Sequence, residues 1–73
     1  MDKIKEIIFI AEEDEIDGGY IAKSVGYSII TEGDTWEELK NNIIDAVKCH
    51  FEENTIPELI RIYFKKEEIL YCA

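Results

Sequence analysis

The sequence predicts an α+β fold in which three strands, one helix and a fourth strand (β-β-β-α-β) build a four-stranded mixed sheet of order 3-2-1-4, with the helix packed on one face. Three observations predict it. The N-terminal part alternates β-branched and aromatic runs with glycine-bearing turns. A single central segment has the three- and four-residue apolar spacing of a helix, and the run after Pro57 alternates with the period of a strand.

Ile4 to about Glu13 is rich in β-branched and aromatic residues and ends in the acidic cluster Glu12-Glu13-Asp14-Glu15-Ile16-Asp17, so it reads as a strand followed by a loop. Asp17-Gly18-Gly19 tolerates positive φ and lets the chain reverse into a second strand, Tyr20 to Val25. Gly26 marks another reversal, and Tyr27-Ser28-Ile29-Ile30-Thr31 has strand composition up to Glu32-Gly33. Asp34 or Thr35 is placed to cap a helix, because either side chain accepts a bond from a free N–H of the first turn, while Glu37 and Glu38 suit its positive end.

Within Thr35 to Glu53, the residues Trp36, Leu39, Ile43, Ala46, Val47 and His50 recur on one side, with Glu37, Lys40, Asn41, Asp45, Lys48 and Glu52 opposite. Asn54 and Pro57 end this helix, since proline lacks the N–H that a continuing helix needs. From Glu58 to Lys65, Ile60, Ile62 and Phe64 alternate with Leu59, Arg61, Tyr63 and Lys65 as the fourth strand. Residues Glu67 to Ala73 either extend that strand after a kink or form a separate short edge.

Short connections force the first three strands into an antiparallel meander, and a right-handed helical crossover sets the fourth strand parallel to the first. The first strand is then central and apolar on both sides, with Ile8 and Ile10 on one and Ile7, Phe9 and Ala11 on the other. One helix covers one face only. A contiguous apolar patch of several hundred Å² is unusual on a monomer, and covering it at roughly 25 cal/mol per Å² is worth several kcal/mol. We therefore expect a homo-oligomer (dimer or tetramer), a protein partner, or both, with Ile7, Phe9, Glu12, Glu13, Asp14 and Tyr63 as candidate interface residues.

Seventy-three residues allow one domain, 1–73. Two cysteines, Cys49 and Cys72, make no disulfide framework and read as free thiols in a reducing compartment. Seventeen acidic against eight basic residues give a net charge of −9, a field that repels phosphate backbones and anionic lipid and favours a basic protein. The expectation is no direct nucleic acid and no membrane partner. The apolar run Ile7 to Ala11 is too short for a signal-peptide core or a bilayer span, so the expected setting is a complete cytoplasmic protein.

Gly19-Tyr20-Ile21-Ala22 carries a Tyr-x-Ala strand, and Thr31-Glu32-Gly33-Asp34-Thr35-Trp36-Glu37-Glu38-Leu39-Lys40-Asn41-Asn42-Ile43 joins a Thr-x-Gly-Asp-Thr turn to a Glu-Glu-Leu helix start. In these the chain resembles the HicB-like antitoxin family. Ala46-Val47-x-Cys49-His50-Phe51 and Arg61-Ile62-Tyr63-Phe64 are similar to its short form, also called the UPF0150 family, so the resemblance spans nearly the whole chain. Tyr20, Ala22, Gly33, Asp34, Thr35 and Trp36 form its structural motif.

The resemblance implies a partial ribonuclease H-like sheet and the neutralising of a small basic, messenger-RNA-cleaving toxin of the HicA type. The chain departs from the longer antitoxins around Gly26, which lacks their Pro-x-Leu-Pro-Gly-Cys pattern, and in having no operator-binding module before Ala73. A single HicB-like domain without a DNA-binding C-terminal module is expected. The alternative is a stand-alone self-associating domain of unknown ligand with no toxin partner.

Nuclease chemistry on a ribonuclease H-like sheet needs carboxylates on the central strand to bind two Mg²⁺ ions, where this chain has Ile7-Ile8-Phe9-Ile10. The acidic loop Glu12 to Asp17 reads as a solvated loop or as a docking surface for a basic partner. Cys49 and His50 point about 100° apart on a helix and no second histidine exists, so His50 reads as a packed or partly buried ring, not a ligand. Trp36 reads as a core aromatic, and Gly18-Gly19 and Gly33 as turn residues with no phosphate-binding lysine after them. No catalytic, cofactor-binding or metal-ligating residue is assigned, and the chain is expected not to be an enzyme.

Overall fold

A computed structural model describes residues 5–72 of the chain. The elements are β1 (Glu6–Glu13), β2 (Tyr20–Ser24), β3 (Ile30–Gly33), α1 (Trp36–His50), a 3₁₀ turn at Glu53–Thr55 and β4 (Leu59–Lys65). They form one sheet of order β3-β2-β1-β4, with β1 antiparallel to β2, β2 antiparallel to β3, and β1 parallel to β4. The α+β fold and strand order expected from sequence are those observed. Ile4 and Ala73, at the two ends of the expected elements, lie outside the described residues.

Side chains close both loops of the meander. Asp14 Oδ1 accepts the N–H groups of Ile16 at 3.0 Å and Asp17 at 3.2 Å, while the Gly18 N–H donates to the Asp14 carbonyl at 2.9 Å. Gly19 ends the loop at φ +76°, and a Cβ there would lie 2.6 Å from the Gly33 carbonyl, so both backbone conformation and space require glycine. After β2, Ser24 Oγ donates to the Tyr27 carbonyl at 2.7 Å and accepts the Ile29 N–H at 3.3 Å. These bonds hold Tyr27 to Ile29 as a loop, so β3 begins at Ile30 instead of Tyr27, and Ile29 turns into the core.

Thr35 is the helix cap. Its Oγ1 accepts the Glu38 N–H at 3.1 Å from an extended backbone, with exposed Asp34 beside it. The helix stops at His50, short of the expected Glu53. Phe51 turns extended, its N–H donating to the Val47 carbonyl at 3.1 Å, and its ring packs edge-on to Tyr27 at 5.2 Å. His50, expected to be packed or partly buried, is exposed and only edges against Phe51 at 4.9 Å and Tyr27 at 6.0 Å.

Ile7, Phe9, Ala11, Ala22, Ile29, Leu39, Ile43 and Val47 make one buried cluster between sheet and helix, and no polar side chain among the described residues is buried with them. Two small residues, Ala11 and Ala22, are paired across β1 and β2 under the helix. Gly33 brings β3 so close to α1 that a Cβ on it would sit 2.5 Å from the Leu39 nitrogen. Asn42 Nδ2 adds a bond to the Glu32 carbonyl at 2.7 Å. The helix is thereby drawn toward β2 and β3, leaving a gap toward β4.

Candidate functional site

Burial of β1 decides which sheet face is free. Ile7 and Phe9 are 1% and 0% exposed beneath α1, so these two candidate interface residues belong to the core and are closed to a partner. Their neighbours Ile8 and Ile10 point the other way. The registers align Ile30, Lys23, Ile10 and Tyr63 in one cross-strand row, and Glu32, Ile21, Glu12 and Lys65 in the next. Ile8 lies beside Arg61, and Glu6 beside Leu59. At about 4.8 Å between strands, each four-residue row spans about 14 Å.

This uncovered face is apolar in its middle and charged around it. Ile10, Ile30, Leu59 and Tyr63 are exposed, and Ile8 and Ile21 are half-buried by their neighbours. Glu6 bonds and pairs with Arg61, holding the guanidinium above its ordinary pKa, first through that hydrogen bond and then through the charge of the same carboxylate. Lys23, Glu12, Lys65 and Glu32 complete the surround. Tyr63 therefore stands on the free face.

The acidic candidates separate. Glu12 shares the free face and the row of Ile21 and Lys65, whereas Glu13 pairs with Tyr20 on the helix side of the register. Asp14 has a carboxylate oxygen committed to the turn. Between this loop and the end of β4 lies an open crevice of about 470 Å³, lined by Glu12, Glu15, Ile16, Ile21, Lys65 and Lys66 among others. Its lysines partly balance its acids. Among the described residues no group of three or more His, Cys, Asp or Glu side chains could hold a metal ion.

Tyr20, Trp36 and Phe64 form an aromatic corner over the helix start, with Trp36 centroids 5.5 Å from Tyr20 and 5.4 Å from Phe64, each edge to face. Ala22 is core, Gly33 is the helix contact and Thr35 the cap, so the Tyr-x-Ala and Gly-Asp-Thr stretches build the frame of the fold except at exposed Asp34. Cys49 and Cys72 are free and exposed.

A second surface was not legible as a site. A groove of about 300 Å³ runs between α1 and β4, lined by Ile43, Ile44, Val47, Ile56, Pro57, Ile60 and Ile62, with Lys40 and Lys48 on its helix side. Its signal in the sequence was Ile44, an apolar residue that widens the helix stripe past what one sheet face needs.

Beyond β4, residues 66–72 join no strand among the described residues. They neither extend β4 within this sheet nor add a separate edge to it. No helix among the described residues is long and apolar enough to cross a membrane.

These features define a two-layer α+β protein whose sheet, among the described residues, is covered on one side only. The chain is 57% identical over 67 residues to a UPF0150 protein of Thermotoga maritima, spanning 92% of this chain and 93% of that relative. It is 48% identical over 58 residues to a UPF0150 protein of Archaeoglobus fulgidus, spanning 80% and 85%. The chain belongs to the UPF0150 family. No family model matches it. No solved structure matches it either.

Proposed function

We propose that the chain is a non-enzymatic, antitoxin-type binding protein of the cytoplasm that associates with itself and holds a small basic, messenger-RNA-cleaving toxin of the HicA type. In this reading the sheet is a partial ribonuclease H-like platform, and its free face receives the toxin. The observation that carries it is the apolar strip of Ile8, Ile10, Ile21, Ile30, Leu59 and Tyr63 on the uncovered face, set in a chain of net charge −9. The apolar centre supplies affinity, and the acidic field speeds encounter with a basic protein and repels RNA.

The test is a purified toxin of this type, encoded beside the chain, mixed with it during cleavage of a messenger RNA. Binding with loss of cleavage is expected, and Ile10→Asp or Tyr63→Asp should relieve the inhibition. Cleavage at full rate in the presence of excess folded protein would reject the reading. A stand-alone self-associating domain without a toxin is the second reading, favoured by the helix–β4 groove and the projecting C-terminal segment.

A further inference from the structure

The residues after β4 carry apolar side chains that their own sheet does not cover. Ile69, Leu70 and Tyr71 are 65%, 79% and 88% exposed, three consecutive large apolar side chains held off their own domain. The molecule is correspondingly long, 58 Å against 21 and 18 Å, with a radius of gyration of 14.5 Å where a compact chain of this length has about 11 Å. Leu59 to Cys72 in extended form reaches about 46 Å, which accounts for most of that length.

What these residues lack, the edge they follow offers. Among the described residues β4 has β1 on one side and no strand on the other, so its outer backbone groups are unpaired. Both faces of the sheet are apolar at this edge, through Ile60 and Ile62 in the groove and Leu59 and Tyr63 on the free face. The segment is apolar on both of its faces too. Continuing the alternation of β4, Leu70 falls on the helix side and Ile69 and Tyr71 on the free side.

We propose that residues Glu67–Cys72 of a second copy of this chain add as a fifth strand to the outer edge of β4, its apolar side chains closing the α1–β4 groove and the end of the free face. A two-fold axis through the sheet beside Lys66 runs each copy's segment antiparallel along the other's β4, so the exchange is reciprocal and closed. Lengths agree, six residues against the seven of β4. Charges agree as well, since on the same alternation Glu68 falls on the helix side, where Lys40 and Lys48 stand at the groove, and Glu67 on the free side, where Lys65 ends β4. The proposal rests on the self-association in the functional reading and is independent of the toxin.

Sedimentation equilibrium of the full chain, of Leu70→Asp and of Ile44→Glu tests it. Both substituted positions are exposed, and circular dichroism confirms that each variant keeps its fold. The wild type should dimerise, and each variant should dissociate about tenfold more readily or worse. An equal mixture of the two variants should associate more tightly than either alone, because one intact segment meets one intact groove. Dimerisation unchanged by Leu70→Asp and by Ile44→Glu would overturn the segment's docking and leave self-association standing. A wild type that stays monomeric at about 200 µM, well above the dissociation constants of specific dimers, would overturn both.

Discussion

A methyl group placed on Gly33 would lie 2.5 Å from the amide nitrogen of Leu39, closer than packed atoms come. Strand β3 and helix α1 meet there through bare backbone, and the whole helix takes its height above the sheet from that contact. Gly33→Ala should therefore push α1 outward and cost about 1–3 kcal/mol, with loss of order at Leu39 and Ile43. Urea denaturation followed by circular dichroism measures it, and a midpoint equal to the wild type would disprove the contact's importance.

The two capping residues named from sequence should separate cleanly. Thr35→Ala removes the acceptor of the Glu38 N–H and should cost about 1 kcal/mol. Asp34→Ala, at an exposed position beside the cap, should stay within about 0.5 kcal/mol. Equal losses from the two would show that the cap is shared.

Adjacent residues of β1 should behave as opposites. Phe9→Ala opens the core and should cost about 3–5 kcal/mol, enough to unfold much of a domain this small. Ile10→Asp, on the free face, should leave a folded chain that has lost partner binding. Thermal melts paired with titration of the proposed toxin partner separate these outcomes; a folded Phe9→Ala chain that alone fails to bind would invert the assignment of faces.

Within the acidic loop, Asp14→Ala should lower stability by about 0.5–1.5 kcal/mol, because the Ile16 and Asp17 N–H groups lose their acceptor. Glu12→Gln with Glu13→Gln should leave stability nearly unchanged and slow association with a basic partner at low salt, the difference fading as salt is added. Stopped-flow mixing at two ionic strengths reads this directly, and identical rates would remove the loop from the encounter.

The order of strands was legible because few topologies are open to a meander followed by one helix. A right-handed return over the face places β4 beside β1, and the parallel pairing of Phe9 with Ile62 follows. The side of β1 that would be buried was harder to read. Ile7-Ile8-Phe9-Ile10-Ala11 is apolar in both phases, and the deciding information lies in its neighbours: Ala22 opposite Ala11, and Arg61 opposite Ile8. Those partners are known only once the register is known.

Boundaries shifted where local contacts displaced the regular pattern. Ser24 took over the start of β3, and the turn of Phe51 against Tyr27 shortened the helix. Of the candidate site, Tyr63 and Glu12 share the free face, while Ile7 and Phe9 do not. The groove beside β4 went unread because Ile44 marks it only as a wider apolar stripe on the helix, while its opening comes from the leaning of the helix toward Gly33.

The pairing of β1 with β4 also sets a timetable for synthesis. The greasiest strand is made first, yet one of its two flanks is supplied only by Leu59–Lys65, near the far end of the described chain. Until those residues clear the ribosome, Ile7 to Ala11 has an unguarded border able to zip onto any similar nascent chain. Premature termination before position 59 should thus yield insoluble fragments instead of short soluble ones.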